Sequence, residues 1–326
     1  MTDLRRMATS REPLHVSGAE LRNLVSMPEA IVAVRAAFER GSARSADQPP
    51  RQGLADGTAL AMMARGDQDS GTIVKVISIR HDNPRKGLPS IHALAVWFDG
   101  ETGIPRLLVD GAALTALRTG AATGVATEAL ASTDASVLAV IGAGAQAADQ
   151  IRGVCAVRNI REVRIASRSG KTASELATAI AQELPEVAIV STSDISAAVA
   201  NADVICTATN STKPFLRIAD ISSRVHINAI GSYRAGMQEL APEVVASAAL
   251  VVVDDVHAAV AEAGEVISAL AAGTLDEASL LELGQITGRL TPPAVGTSIF
   301  KSVGIALQDW AIVQLVNERL SLVASP

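Results

Sequence analysis

The stretch VLAVIGAGAQAADQ, residues 137–150, carries the clearest chemical pattern in this chain. An apolar run, Val137 to Ile141, leads into Gly142-Ala143-Gly144-Ala145-Gln146-Ala147, and helical residues follow at once. G-x-G-x-x-A between a strand and a helix suits a pyrophosphate. Gly142 permits the tight turn, Gly144 lets the backbone approach the phosphates, and Ala147 lets the helix pack closely on the strand. The helix N-terminus then offers unpaired N–H groups and a favourable dipole to the anion. Strand, loop and helix in register point to dinucleotide binding rather than to an ordinary glycine turn.

The next strand bears on which dinucleotide. Sites for NAD place an acidic residue there to hold the ribose hydroxyls. Here VRIASRSGKT ends its strand in Ser167, Arg168 and Ser169, with no acid. Arg168 would attract a 2′-phosphate and the serines add donors, so NADP(H) is favoured. NAD(H) remains possible if Arg168 only stacks on the adenine.

Three further residues could handle a small acid. Lys75 lies inside TIVKVISI, and alternation sets Ile73, Lys75, Ile77 and Ile79 on one face. Such a lysine either snorkels from an edge strand or sits in a cleft with a lowered pKa, as a proton donor or carboxylate partner. Arg51 follows Pro49-Pro50, and Arg118 stands in TALRTGAAT. Each could be a surface arginine, or one fork of a carboxylate clamp. His81, His92 and His257 show no metal-ligand spacing, so no metal is assigned. Cys155 and Cys206 read as small core residues. Asp254-Asp255 reads as a strand-end turn, and Glu262 and Glu265 as residues of a helix face.

These residues need a frame. Residues 18–40 carry helical periodicity, with Ser26 and Glu29 spaced as a capping box. Strands are expected at 58–64, 72–79, 90–99 and within 101–111. From Leu114 the pattern changes to a long Ala/Thr helix and then to alternating strands and helices, the pattern of a doubly wound parallel sheet. The final stretch, SIFKSVGIALQDWAIVQLVNERL, reads as one amphipathic helix that returns to the first domain.

A chain of 326 residues suits two domains. Apolar residues make up 48% and aromatics 2%, so the core is aliphatic, as in helices layered over a parallel sheet. Net charge is -6 with the signs mixed, and no basic, aromatic-interleaved block suggests nucleic acid. No apolar run is long enough to span a membrane, and Met1 to Pro13 lack a secretory h-region. The expectation is a cytoplasmic protein.

Together the segments RKGLPSIHALAVWFDGETG, DGAALTALRTGAATGVA, VIGAGAQA, VICTATNSTKPF, HINAIGSYRAGMQEL, VVVDDVHAAVAEAG and SIFKSVGIALQDW resemble the ornithine cyclodeaminase/mu-crystallin family. The resemblance implies an α/β chain: a Rossmann NAD(P)-binding domain, residues 117–303, plus a smaller α+β substrate-binding and dimerisation domain, residues 1–116 and 304–326. It implies a homodimer formed through the smaller domain's sheet, and substrate lying between the domains. Arg51 and Arg118 match the family's carboxylate-binding arginines, Lys75 its active-site lysine, and Ser90 a small hydroxyl residue beside the substrate. Thr119, Gly142, Gly144, Ala145 and Gln146 match cofactor contacts. Thr207, Ala208, Thr209 and Gly231 match the lining of the cofactor crevice, and Ser302 a further contact.

One departure matters. Cyclodeaminase members carry Gly-Gly-Asp after the strand HINAIG, and the aspartate serves catalysis. Here Tyr233 stands in its place, and Arg234 matches an arginine of the mu-crystallin members. The expected activity is therefore NAD(P)H-dependent reduction of a small imino acid, such as Δ1-pyrroline-2-carboxylate or Δ1-piperideine-2-carboxylate, with Tyr233 and Arg234 beside the substrate. Amino-acid dehydrogenation, reduction of an acidic imine and ornithine cyclodeamination are the enzymatic alternatives. An NADPH-dependent ligand-binding protein is the non-enzymatic one.

Overall fold

The computed structural model describes residues 12–42, 45–67, 70–80, 82–287 and 296–324. The chain divides into two units, Met1–Arg118 with Ile305–Pro326, and Thr119–Gly304.

The first unit runs β1 (Leu14–Val16), α1 (Gly18–Leu24), α2 (Met27–Ser42), β2 (Gln52–Gly53), β3 (Ala59–Arg65), β4 (Thr72–Ile79), β5 (Ile91–Phe98) and β6 (Pro105–Asp110), and ends with the helix Ala306–Ala324. The strands form one sheet in the order β1-β6-β5-β4-β3-β2. Its pairs are antiparallel apart from β1 with β6. The expected helix over 18–40 is broken in two. Ser26 donates its N–H and its hydroxyl to Glu29 Oε2, at 2.9 and 2.5 Å, so the Ser26–Glu29 pair stands at the start of a new helix instead of inside one.

Alternation gives this sheet two different faces. Met62, Lys75, Ala95 and Val109 form one row across β3 to β6, and all four are buried. The C-terminal helix packs over β3 and β4. Its Trp310 meets Trp97 with ring centroids 6.5 Å apart and donates Nε1–H to the Gly71 carbonyl at 2.9 Å. On the opposite face Met63, Val76 and Leu94 are 43%, 51% and 42% exposed.

The second unit contains most of α3 (Gly111–Leu130), then β7 (Val137–Ile141), α4 (Ala147–Cys155), β8 (Glu162–Ala166), α5 (Gly170–Glu183), β9 (Ala188–Thr192), β10 (Val204–Thr207), β11 (His226–Ala229), β12 (Leu250–Val253), α6 (Gly264–Ala271), β13 (Leu281–Glu282) and β14 (Ser298–Lys301). Its sheet has the order β13-β12-β14-β11-β10-β7-β8-β9, parallel throughout. Counted from β7, the strands go outward through β8 and β9 and then return to β10 and β11 on the other side. That reversal between β7 and β10 is the Rossmann switch point. Short strands such as VICT and HINA are buried at every position, as in a sheet covered on both faces.

The reading of 298–320 as one helix is corrected. Ser298–Lys301 form a strand between β11 and β12, and the helix begins at Ala306. Gly304, at φ +81°, turns the chain in the left-handed region that favours glycine. The helix is not amphipathic in its first half, where residues 306–313 are buried on every side. No helix among the described residues is long and apolar enough to cross a membrane.

Trp310 is 3% exposed and clasps Gly71, so Trp310→Ala is expected to lower unfolding stability by about 3–5 kcal/mol. Urea denaturation followed by circular dichroism measures this; a loss under about 1 kcal/mol would contradict the packing described.

Candidate active site

In the first unit the buried face of β4 carries Lys75, with 1% exposure. Its ammonium donates to Asp309 Oδ2 at 2.6 Å and to Thr115 Oγ1 at 3.2 Å. Thr115 gives its own proton to the Gly111 carbonyl at 2.7 Å, so its oxygen is oriented to accept from Lys75. Two of the three ammonium hydrogens are thereby placed. Asp309 is fully buried, and its other oxygen lies 3.5 Å from Arg118 Nε. Arg118 Nη1 donates to Gln308 Oε1 at 2.5 Å. Arg51 is half-buried and close enough to act on the lysine's charge.

The structure thus brings Lys75 and Arg118 together around Asp309, with Arg51 near enough to act on the lysine's charge. Cationic side chains gathered in one place suit a small anion. Burial pulls the Lys75 pKa down to about 8; Asp309 resists this, and Arg118 and Arg51 add to it. A lysine in this state exchanges protons near neutral pH. Ser90 is half-buried at the start of β5, where its carbonyl accepts the Arg80 N–H at 2.7 Å.

In the second unit the remaining candidates follow the C-terminal ends of the strands, where such sheets bind dinucleotides. Gly142 follows β7 at φ +107°, and a Cβ there would lie 2.5 Å from the Ala208 carbonyl oxygen. A Cβ on Gly144 would meet nothing within 4 Å, so open space lies above this loop. Ala145 is exposed, Gln146 is the N-cap of α4, and Ala147 is fully buried under it. This open cradle before a nine-residue helix fits a pyrophosphate.

Ser167, Arg168 and Ser169 follow β8. Arg168 is exposed, whereas the Ser167 hydroxyl bonds within the loop, to the Ser169 carbonyl at 2.5 Å. Thr207 ends β10, Ala208 and Thr209 follow it, and Gly231 lies beyond β11. Thr207 is fully buried, so it supports the crevice from below; Ala208 and Thr209 are half-buried. Thr119 is buried on α3. Ser302 follows β14 and is buried, with its hydroxyl proton given to Asp254 Oδ2 at 2.8 Å. Tyr233 is half-buried and Arg234 exposed, with the guanidinium 5.2 Å from the tyrosine ring centroid.

Several acids escaped the sequence reading. Asp309 stands in a run read as helix, and only the doublet Gln308-Asp309 amid apolar residues hinted at a polar task. Glu265, read as part of a helix face, is buried and accepts the Ser232 hydroxyl at 2.6 Å. Glu239 is fully buried and bonded to Thr207, Thr209 and Gly231. Burial pushes its carboxyl upward, against the pull of Lys301 and Thr209. Asp254 does end its strand in a turn, accepting the N–H groups of Val303 and Gly304 at 3.0 and 2.7 Å. His92 and His257 are exposed, and His81 lies outside the described residues. Among the described residues no His, Cys, Asp and Glu side chains gather as a metal site would require.

The chain resembles known proteins along nearly its whole length. The chain is 34% identical over 316 residues to a Δ1-pyrroline-2-carboxylate reductase of Bacillus cereus, covering 94% of this chain and 96% of that one. The solved Δ1-pyrroline-2-carboxylate reductase of Thermococcus litoralis, in complex with NADH and L-proline, superposes with a TM-score of 0.89 at 32% identity, covering 95% and 98%. An archaeal alanine dehydrogenase dimer with bound NAD superposes with a TM-score of 0.86 at 32% identity, covering 95% and 96%. Residues 12–323 match the ornithine cyclodeaminase/mu-crystallin family, and the chain belongs to that family.

Proposed function

We propose that this protein is an NAD(P)H-dependent imine reductase that converts small cyclic imino acids, Δ1-pyrroline-2-carboxylate or Δ1-piperideine-2-carboxylate, to L-proline or L-pipecolate. The observation that carries the reading is the buried Lys75 held by Asp309 beside Arg118 and Arg51, in a chain with Tyr233 where cyclodeaminases have an acid. The relatives that act on pyrroline-2-carboxylate support the same substrate class.

Each part of the reaction has a group to serve it. Arg118 and Arg51 bind the substrate carboxylate, the guanidinium fork matching its two oxygens. Lys75 directs its remaining N–H at the imine nitrogen and keeps that nitrogen protonated, because an iminium accepts hydride better than a neutral imine. The bound nicotinamide cofactor supplies the hydride. The glycine loop would hold the pyrophosphate, and the ends of β10 and β11 would hold the nicotinamide half. Cyclodeamination would also need a base for amine protons and a partner for the departing ammonium; Tyr233 does neither as a carboxylate does.

The donor form of Lys75 is the ammonium. It is populated below its pKa of about 8 and lost above it. Turnover of Δ1-pyrroline-2-carboxylate is therefore expected to be level through neutral pH and to fall as pH rises through about 8. Asp309→Asn removes the charge that favours the ammonium, so the fall is expected to begin at lower pH. A profile level to pH 10, or a limb unmoved in the variant, would exclude Lys75 as the donor.

The cofactor preference is read from the loop after β8, where exposed Arg168 and no acid meet the ribose 2′ position. NADPH is favoured and NADH is also used. Arg168→Asp is expected to raise the KM for NADPH about tenfold or more, the value of a charged hydrogen bond, with little change for NADH. Equal changes for both would refute the assignment.

The chain works as a homodimer through the outer face of its first sheet, where Met63, Val76 and Leu94 are exposed. An apolar face of this size on one sheet marks an interface. Wild type is expected to run as a dimer in light scattering, and Val76→Glu with Leu94→Glu as a monomer. A monomeric wild type or a dimeric double variant would contradict this.

A further inference from the structure

The charged groups that no step above uses gather beneath the ends of β10 and β11. Glu239 receives four hydrogen bonds, although it is fully buried. Its Oε1 accepts the Thr209 N–H and hydroxyl, both at 2.7 Å. Its Oε2 accepts the Thr207 hydroxyl and the Gly231 N–H, both at 2.8 Å. Thr209 belongs to the chain leaving β10, and Gly231 to the chain leaving β11. After two parallel strands diverge, their next N–H groups have no ladder partner, and a buried N–H must find one. One carboxylate serves both.

The approach is close. A Cβ on Gly231 would lie 2.3 Å from both the nitrogen and the oxygen of Thr209 and 2.4 Å from Glu239 Oε1. Glu239 is itself held, since its N–H donates to Glu265 Oε1 at 2.6 Å. Glu265 also takes the Ser232 hydroxyl at 2.8 and 2.6 Å. Lys301 closes the far side, donating to the carbonyls of Ala229 and Ser232 at 3.1 and 2.5 Å and to the Ser232 hydroxyl at 2.6 Å. Buried charges on this scale are retained only when each is paired.

The glycine loop after β7 and Arg168 after β8 serve the pyrophosphate and adenosine half of a dinucleotide. The other half of the fold, β10 and β11, then takes the nicotinamide half. We infer that Glu239 is a positioning residue for the nicotinamide: its carboxylate locks Thr209 to Gly231 and so fixes the floor on which the ring rests, without touching the reacting atoms. The inference rests on the dinucleotide reading of the second unit and not on which imine is reduced.

The two halves of the cofactor provide the test. NADH and ADP-ribose, which lacks the nicotinamide, are titrated into full-length wild type and Glu239→Gln by calorimetry. Glutamine must set an NH2 against N–H or O–H donors that the carboxylate accepted. NADH is expected to bind the variant about tenfold more weakly, the scale of an unmet buried hydrogen bond, while ADP-ribose binds within about twofold of wild type. Thr207→Val removes one hydroxyl from the lock; that residue has no exposed surface for either ligand. It is expected to shift NADH alone by a smaller factor, and it carries the test should Glu239→Gln not fold. Equal weakening of both ligands would make Glu239 a general structural residue, and unchanged NADH binding would remove any role; either overturns the inference. A wild type that binds neither ligand, and NADPH no better, would instead refute the dinucleotide reading beneath it.

Discussion

A lysine with 1% exposure is costly to keep charged without an opposite charge beside it, and Lys75 has Asp309 at 2.6 Å. This pair governs the first unit. Asp309 comes from the C-terminal helix, 234 residues away in sequence, so the pair exists only when that helix is docked on the sheet. Trp310, the next residue, anchors the same helix through Trp97 and the Gly71 carbonyl. Packing energy from the aromatic side chains thus holds the acid against the lysine. Burial pulls the ammonium toward neutrality while Asp309 holds it charged, and these opposed effects leave its pKa at about 8.

The second unit obeys the same rule with the signs reversed. Glu239 and Glu265 are buried acids, and Lys301 is the buried base, 3.7 Å from Glu265. Their partners are backbone groups and hydroxyls at and just beyond the ends of β10 and β11. The parallel sheet delivers those segments to one edge, and the charges then hold them in one conformation. A hydride must be passed over a short and well-defined distance, and a loop bound from several sides supplies that definition better than a free one.

How much of this could be read from residues alone depended on range. The glycine loop was legible because strand, turn and helix lie within a dozen residues, and each glycine has a local reason. The Ser26 and Glu29 cap was legible for the same cause, though the break it makes in the helix was not. Lys75 could be set on a face by alternation, but whether that face was covered depended on a helix at the other end of the chain. Ser298–Lys301 was misread because four buried apolar and polar residues show neither period clearly; their strand character comes from lying between β11 and β12. Glu239 and Glu265 were missed because an acid beside apolar residues looks like any surface acid until the strands it bridges are assembled. Tyr233 was the exception, informative through the resemblance and not through its own chemistry.

The central claim is reduction of a ready-made imine without release of ammonia. The most direct measurement is product analysis with purified protein and NADPH or NADH. From Δ1-pyrroline-2-carboxylate it is expected to give L-proline in equal amount to the cofactor oxidised, and from ornithine with the oxidised cofactor no ammonia. Ammonia and proline from ornithine, with the cyclic imine left unreduced, would contradict the account.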